Sequence, residues 1–223
     1  MTPEQTDTAP LTEVTIYTDG GCEPNPGAGG YGVIVVYGSQ VKELSGGFRL
    51  TTNNRMEIFA AIAGLEALTM PSHVTLISDS RYVVDTMELA WAKRWRANGW
   101  WRTRRERAVN ADLWERLLTL CERHRVTFKW VKGHAGHEQN ERCDMLAMEA
   151  LKRPDIPADP GYAPRPGEPE SGGLSPAAQP SRSGLTPAAP TPDIGAFRSE
   201  KTGAVQMEFN LCAKSGTRPR NVI

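Results

Sequence analysis

From Val14 to Thr18 apolar and polar residues alternate, and Tyr31 to Tyr37 is a run of aromatic and β-branched residues. Both patterns predict β-strands, because successive side chains of a strand point to opposite faces. Phe48 to Leu50 predicts a third, short strand. From Asn53 the period changes: Met56, Phe59, Ala60, Ala63 and Ala67 fall three or four apart, which predicts a helix ending before Pro71. His73 to Ser78 is strand-like again and hands over at Asp79-Ser80, where either side chain can cap the next helix. Helical spacing then covers Arg81 to Trp95 and Ala111 to His124, with Gly99 and a basic loop between them. Val126 to Val131 predicts the last strand, and a Gly-His-Ala-Gly-His loop leads to a helix from about Glu138 to Leu151. The order βββ-α-β-α-α-β-α predicts an α/β fold in which helices flank a mixed sheet.

Composition limits where that fold ends. Residues 154–192 hold eleven Pro and five Gly, with Tyr162 the only aromatic, and are read as a disordered linker that cannot bury enough surface to fold. About 140 to 150 residues remain for a single core. Residues 1–10 are expected to be a flexible N-terminus, and 193–223 a segment of unknown role. Within the latter, Val205 to Leu211 alternates apolar and polar, the signature of a strand that could dock on this domain's sheet edge or on a protein partner. No run of 18 apolar residues and no basic-then-apolar leader is present, so the expectation is a cytoplasmic chain without membrane contact. Four cysteines (Cys22, Cys121, Cys143, Cys212) form no C-x-x-C pair and are read as reduced thiols.

Net charge is zero, yet Trp91 to Arg107 carries seven basic residues against the single acid Glu106. Trp91, Trp95, Trp100 and Trp101 are interleaved with them, a combination suited to nucleic acid: indoles pack on bases or sugars while arginines neutralise phosphates. Four acidic residues stand in segments of unusual composition: Asp19 in Thr-Asp-Gly-Gly, Glu57 in Asn-Asn-Arg-Met-Glu, Asp79 in Ile-Ser-Asp-Ser and Asp144 in Asn-Glu-Arg-Cys-Asp. Each has an ordinary explanation alone. Asp19-Gly20 fits a turn, Asp79 a helix cap, Glu57 a helix surface, and Asp144 an ion pair with Arg142 or Lys152. One site for hard divalent cations accounts for all four, since such cations take oxygen ligands. Two other readings fail. Gly27-Ala-Gly-Gly-Tyr-Gly32 fits the dinucleotide fingerprint only formally, because strand sequence follows where a helix is required; its glycines are expected to shape a turn and admit a nucleic-acid backbone. His134, His137 and Cys143 give too few ligands for zinc.

Taken in order, these segments resemble bacterial ribonuclease H of the type-1 family. The likeness runs through Tyr17-Thr-Asp-Gly-Gly-Cys, Asn25-Pro-Gly-Ala-Gly-Gly-Tyr-Gly, Thr51-Thr-Asn-Asn-Arg-Met-Glu57, Asp79-Ser80, the tryptophan-rich stretch, Trp130-Val-Lys-Gly-His-Ala-Gly-His and Asn140-Glu-Arg-Cys-Asp144. It spans roughly residues 11 to 153, which it marks as the catalytic domain, and implies a five-stranded mixed sheet. It also implies a monomeric endonuclease that cuts the RNA strand of RNA–DNA hybrids, leaving 5′-phosphate and 3′-hydroxyl ends. By resemblance Asp19 bridges two Mg²⁺ ions, with Mn²⁺ as a substitute. Glu57 and Asp79 complete one coordination sphere, Asp144 holds the other, and His134 serves proton transfer or product release. The hybrid is implied to meet Cys22, Asn25, Thr52, Asn53 and Asn54, together with Trp91, Trp95, Trp100, Arg102, Arg104 and Arg105 of the basic protrusion. Trp101-Arg102 departs from the pattern, in which one tryptophan precedes a basic residue. Integrases and transposases share this fold, but no zinc-binding or DNA-targeting domain is visible; a silent hybrid-binding module would lack a carboxylate, and all four are present.

Overall fold

The computed structural model describes residues 11–164. The expected flexible N-terminus, the linker beyond Pro164, the Val205–Leu211 strand and Cys212 lie outside the described residues.

The elements follow as β1 (Thr12–Glu23), β2 (Gly27–Tyr37), β3 (Gln40–Thr51), α1 (Asn53–Glu66), β4 (Ser72–Ser78), α2 (Arg81–Glu88), α3 (Trp91–Ala97), α4 (Ala111–Arg123), β5 (Arg125–Trp130) and α5 (Glu138–Ala150). The strands form one mixed sheet in the order β3-β2-β1-β4-β5. Its centre is β1, antiparallel to β2 with Thr15 opposite Val36, and parallel to β4 with Thr18 level with Ser78. Alternation sorts the two faces. Val14, Ile16, Val33, Val35, Val74 and Leu76 share a core with Ile58, Ile62, Val83, Trp114 and Leu117 of α1, α2 and α4. Tyr17, Ile34 and Val36 face the other way and meet Cys143 and Leu146 of α5. No helix among the described residues is long and apolar enough to cross a membrane.

Four segments differ from expectation, each for a physical reason. β3 begins at Gln40 rather than Phe48. Its first half is a charged, exposed edge whose strand character comes from pairing with β2, not from apolar alternation. The helix expected over Arg81–Trp95 is two helices, broken where Ala90 takes a left-handed conformation at φ 55°. No Gly, Pro or Asn marks that break. The end of α2 is tied elsewhere, since Glu88 accepts the Phe128 N–H at 3.0 Å. The glycines of 27–32 do not form a turn either; they lie in β2, and what approaches them is protein. A Cβ on Gly32 would run into the main-chain oxygen of Cys143, so this glycine sets how closely α5 lies on the sheet. Finally, residues 154–164, expected as linker, are packed: Ile156 and Asp159 are buried, and the Arg49 N–H donates to the Pro157 carbonyl at 2.8 Å.

Replacing Gly32 with alanine therefore forces α5 outward. Overpacking of this kind costs about 1–3 kcal/mol, which for a chain of this size lowers Tm by roughly 2–4 °C per kcal/mol. Calorimetry of Gly32→Ala checks this, and an unchanged Tm would show that α5 has slack.

Candidate active site

Asp19 lies inside β1, opposite Gly32 of β2, so the expected Asp19-Gly20 strand end is instead paired strand. Two positions from Tyr17, it shares the face covered by α5. Parallel pairing sets Thr18 level with Ser78, and the next residue along β4 brings Asp79 up beside Asp19. Glu57 comes from the first turns of α1. A Cβ on Gly20 would collide with the main chain of Met56 and Glu57, so the glycine after Asp19 lets α1 approach. Asp144, half-buried in the second turn of α5, completes the group.

The electrostatic consequence falls on Asp19. Burial, then the charge of Asp79, with smaller contributions from Asp144 and Glu57, pushes its carboxyl up to about 8 against the opposing hydrogen bond from the Gly20 N–H. Four carboxylates are thus within electrostatic reach of one another. They do not converge to ligand distance, however: among the described residues no three His, Cys, Asp or Glu side chains are gathered tightly enough to hold an ion without side-chain movement. Each of three carboxylates is turned onto a donor of the chain. Asp19 accepts the Gly20 N–H at 2.7 Å. Glu57 accepts from Asn53 Nδ2 at 2.8 Å and from the Ser80 hydroxyl. Asp79 accepts from Asn140 Nδ2 at 3.4 Å, while its main-chain oxygen takes the Trp130 indole N–H at 3.0 Å. The Oδ1 of Asn140 is buried with no hydrogen-bond partner among the described residues. An all-oxygen donor set that repels itself, beside an unpartnered amide oxygen, fits hard divalent cations.

Ser80 was expected as a possible helix cap, but neither it nor Asn140 was expected to hold a site carboxylate. Ser80 is the N-cap of α2, its Oγ accepting the Val83 N–H at 3.3 Å, and it grips Glu57 with the same hydroxyl. Its position after Asp79 was the only signal. His134 is exposed, in a left-handed conformation at φ 52°. The preceding Gly133 abuts Asp79 so closely that a Cβ there would strike the carboxylate. The loop therefore carries His134 past the acidic group.

The expected hybrid-contacting residues divide into three kinds. Asn25, Thr52 and Asn54 line one cleft, and Asn25 Oδ1 takes the Asn53 N–H at 3.1 Å. The Cys22 thiol is directed at the chain's own carbonyls, Pro24 at 3.1 Å with Gly27 and Thr51 at 3.4 Å, and burial pushes it up to about 12. Trp95 and Trp100 pack against the core, Trp95 edge-to-face with Trp114, so their rings are partly taken by protein. Trp91 is half-buried at the start of α3. Trp101, read as part of the basic, aromatic stretch but not named among the contacts implied by resemblance, is the exposed indole of that stretch, with the Arg107 guanidinium 5.1 Å from its ring centre. A Trp101–Arg107 bridge closes the basic loop, in which Arg102 pairs with Glu106 at 2.6 Å and Arg104 and Arg105 are exposed with no salt bridge among the described residues.

Sequence and fold comparisons point to one family. The family model described as RNase H matches residues 11–152. The chain is 63% identical over 153 residues to Ribonuclease H of Syntrophus aciditrophicus, covering 69% of this chain and 88% of that protein. It is 61% identical over 149 residues to Ribonuclease H of Desulforamulus reducens, covering 67% and 94%. Among solved structures it is similar to LC9-RNase H1, described as a type 1 RNase H with the type 2 active-site motif, at a TM-score of 0.58 and 32% identity over 64% of this chain and 74% of the other. With a matched model over most of the described residues and relatives this similar, the chain belongs to the RNase H family, as a bacterial type 1 ribonuclease H and hence an endoribonuclease.

Proposed function

We propose that this enzyme hydrolyses the RNA strand of RNA–DNA hybrids and leaves 5′-phosphate and 3′-hydroxyl ends. The observation that carries the site assignment is the raised Asp19 carboxyl: burial and three neighbouring carboxylates make a patch that calls for cationic charge. Asp19, Glu57, Asp79 and Asp144 would hold two Mg²⁺ ions, or Mn²⁺ in their place. When bound, such ions neutralise charge on the attacking water oxygen and on the departing 3′ oxygen.

The chain's own residues do the rest. Ser80 and Asn53 hold the Glu57 carboxylate and Asn140 meets Asp79, so each oxygen rests on a neutral donor beside the site and has only to turn when cations arrive. Water attacks phosphorus as the P–O3′ bond breaks; one proton leaves the water and one is gained by the 3′ oxygen. His134, carried past Asp79 on an exposed loop, has the reach and the chemistry to relay a proton there. Arg104 and Arg105 would neutralise backbone phosphates, with Trp101 offering an exposed indole face. Discrimination of RNA from DNA would rest on 2′-hydroxyls near Glu57 and the Cys22 loop. Among the described residues Arg104 and Arg105 form no salt bridge, which leaves their charge for phosphates and supports that reading of the loop over a purely structural one.

Hydrolysis of a labelled hybrid with Mg²⁺, with Mn²⁺ and with chelator tests the proposal directly. Asp19→Asn and Asp79→Asn should each abolish cleavage; retention of more than about a tenth of the wild-type rate would sink the metal assignment. The same residue governs stability without metal. Because the folded-state pKa of Asp19 lies near 8 and its ordinary value is 3.8, the metal-free protein should lose stability as pH rises from about 4 through 8. Asp19→Asn should flatten that decline and raise Tm at pH 8 by roughly 4–10 °C, of the order of a few kcal/mol. An identical decline in the variant would assign the pH dependence to other groups.

Replacing Arg104 and Arg105 with alanine should raise KM about tenfold with kcat within about twofold. It should also flatten the dependence of log K on log salt by about one to two. If the salt slope is unchanged, the loop simply faces solvent.

A further inference from the structure

The strap that follows α5 is bolted to the junction between β3 and α1. Asp159, 7% exposed, accepts from Arg55 Nε at 2.7 Å and Nη2 at 2.9 Å, from Thr51 Oγ1 at 2.7 Å and from the Gly161 N–H at 3.0 Å. Arg55, 3% exposed, turns its other edge to Asp112 of α4 at 2.7 and 3.0 Å. Ile156 is buried and its carbonyl takes Arg49 Nη1 at 3.3 Å. Thr51 and Arg55 flank Thr52, Asn53 and Asn54. Gly161, Tyr162 and Ala163 then form one wall of a cleft of about 490 Å³ whose other wall includes Asn25, Thr52 and Asn54.

The charges of this cleft make position decisive. Arg55 faces two carboxylates, so the cluster beneath the cleft carries one net negative charge (+1 from Arg55, −2 from Asp112 and Asp159). Among the described residues that line the cleft, no excess cation draws a phosphate in. Amide and hydroxyl donors of Asn25, Thr52 and Asn54 would have to hold it, and neutral hydrogen bonds weaken steeply once distance or angle is lost.

Resting on the function proposed above, we infer that residues 159–163 of the strap belong to the hybrid-binding machinery, with Ile156 as an apolar anchor outside it. Asp159 is a positioning residue: through Arg55 and Thr51 it fixes the β3–α1 junction that presents Thr52 to Asn54 to the DNA strand. Gly161 to Ala163 close the groove around that strand's sugar–phosphate chain.

The test compares full-length wild type with Asp159→Asn and with Ile156→Ala, which loosens the strap's buried apolar anchor without touching Arg55. For each, kcat and KM on a hybrid at saturating Mg²⁺, Kd for the uncleaved hybrid with chelator, and Tm are measured. Asp159→Asn should raise KM and Kd about tenfold while kcat stays within about twofold, and Ile156→Ala should lower Tm with KM and Kd unchanged. Three results would overturn the inference: Asp159→Asn shifting Tm alone, Ile156→Ala raising KM equally, or tighter binding by Asp159→Asn, which would mean that net charge outweighs position. Wild-type cleavage of the same hybrid reports separately on the proposed function, so an unchanged KM beside intact wild-type cleavage overturns the strap's role and leaves that function standing.

Discussion

Mutual repulsion among carboxylates is the constraint around which this molecule is arranged. Asp19 is half-buried on the central strand with Asp79, Asp144 and Glu57 near enough to raise its pKa. Such a group destabilises the fold unless something offsets it, since burying unpaired carboxylates costs several kcal/mol. The offset is a set of neutral donors. The Gly20 N–H, the Asn53 and Asn140 amides and the Ser80 hydroxyl each take one carboxylate oxygen. None of these donors carries charge, so the patch remains a strong attractor for cations even as its side chains are held in place. Stability is traded locally for a preset field, which the rest of the core must support.

That support comes from close approach. Glycines at 20 and 32 bring α1 and α5 against opposite faces of the sheet, and the carboxylates they carry follow. A similar logic holds away from the acidic patch. Arg55 binds α4 and the strap to the start of α1 with two carboxylates, buried with Asp159 and open to solvent at Asp112, and in the buried pair geometry matters more than net energy. Two rigid clamps therefore flank the β3–α1 junction, Ser80–Glu57 on one side and Asp159–Arg55 on the other.

The sheet, its helices and the four carboxylates were legible in the sequence because each is written locally. Strand alternation, helical spacing and short motifs of peculiar composition need no knowledge of distant partners. What escaped depends on partners. The polar half of β3 is a strand only because β2 lies beside it. Ala90 turns left-handed with no Gly, Pro or Asn to announce it. Asp159 sits in a proline-rich run that composition marks as linker, and its anchor is Arg55, 104 positions earlier. Trp95 and Trp101 are alike as sequence, yet one packs on Trp114 and the other is exposed. Composition showed that the stretch was basic and aromatic; it could not show which rings the core would claim.

The chain order of the acidic patch has a consequence for how the protein is made. Asp19, Glu57 and Asp79 are synthesised early, but Asp144 lies on α5, the last helix among the described residues, 125 positions after Asp19. The centre strand takes its parallel neighbour β4 only after a crossover through β2, β3 and α1. Contacts this distant in sequence form late, since chain entropy must be surrendered before they stabilise anything. A chain still emerging from the ribosome thus holds three carboxylates without the fourth, and without the helix that covers their face of the sheet. Completion of the patch therefore waits on the docking of α5, and a chain that ends before Asp144 lacks the full acidic group.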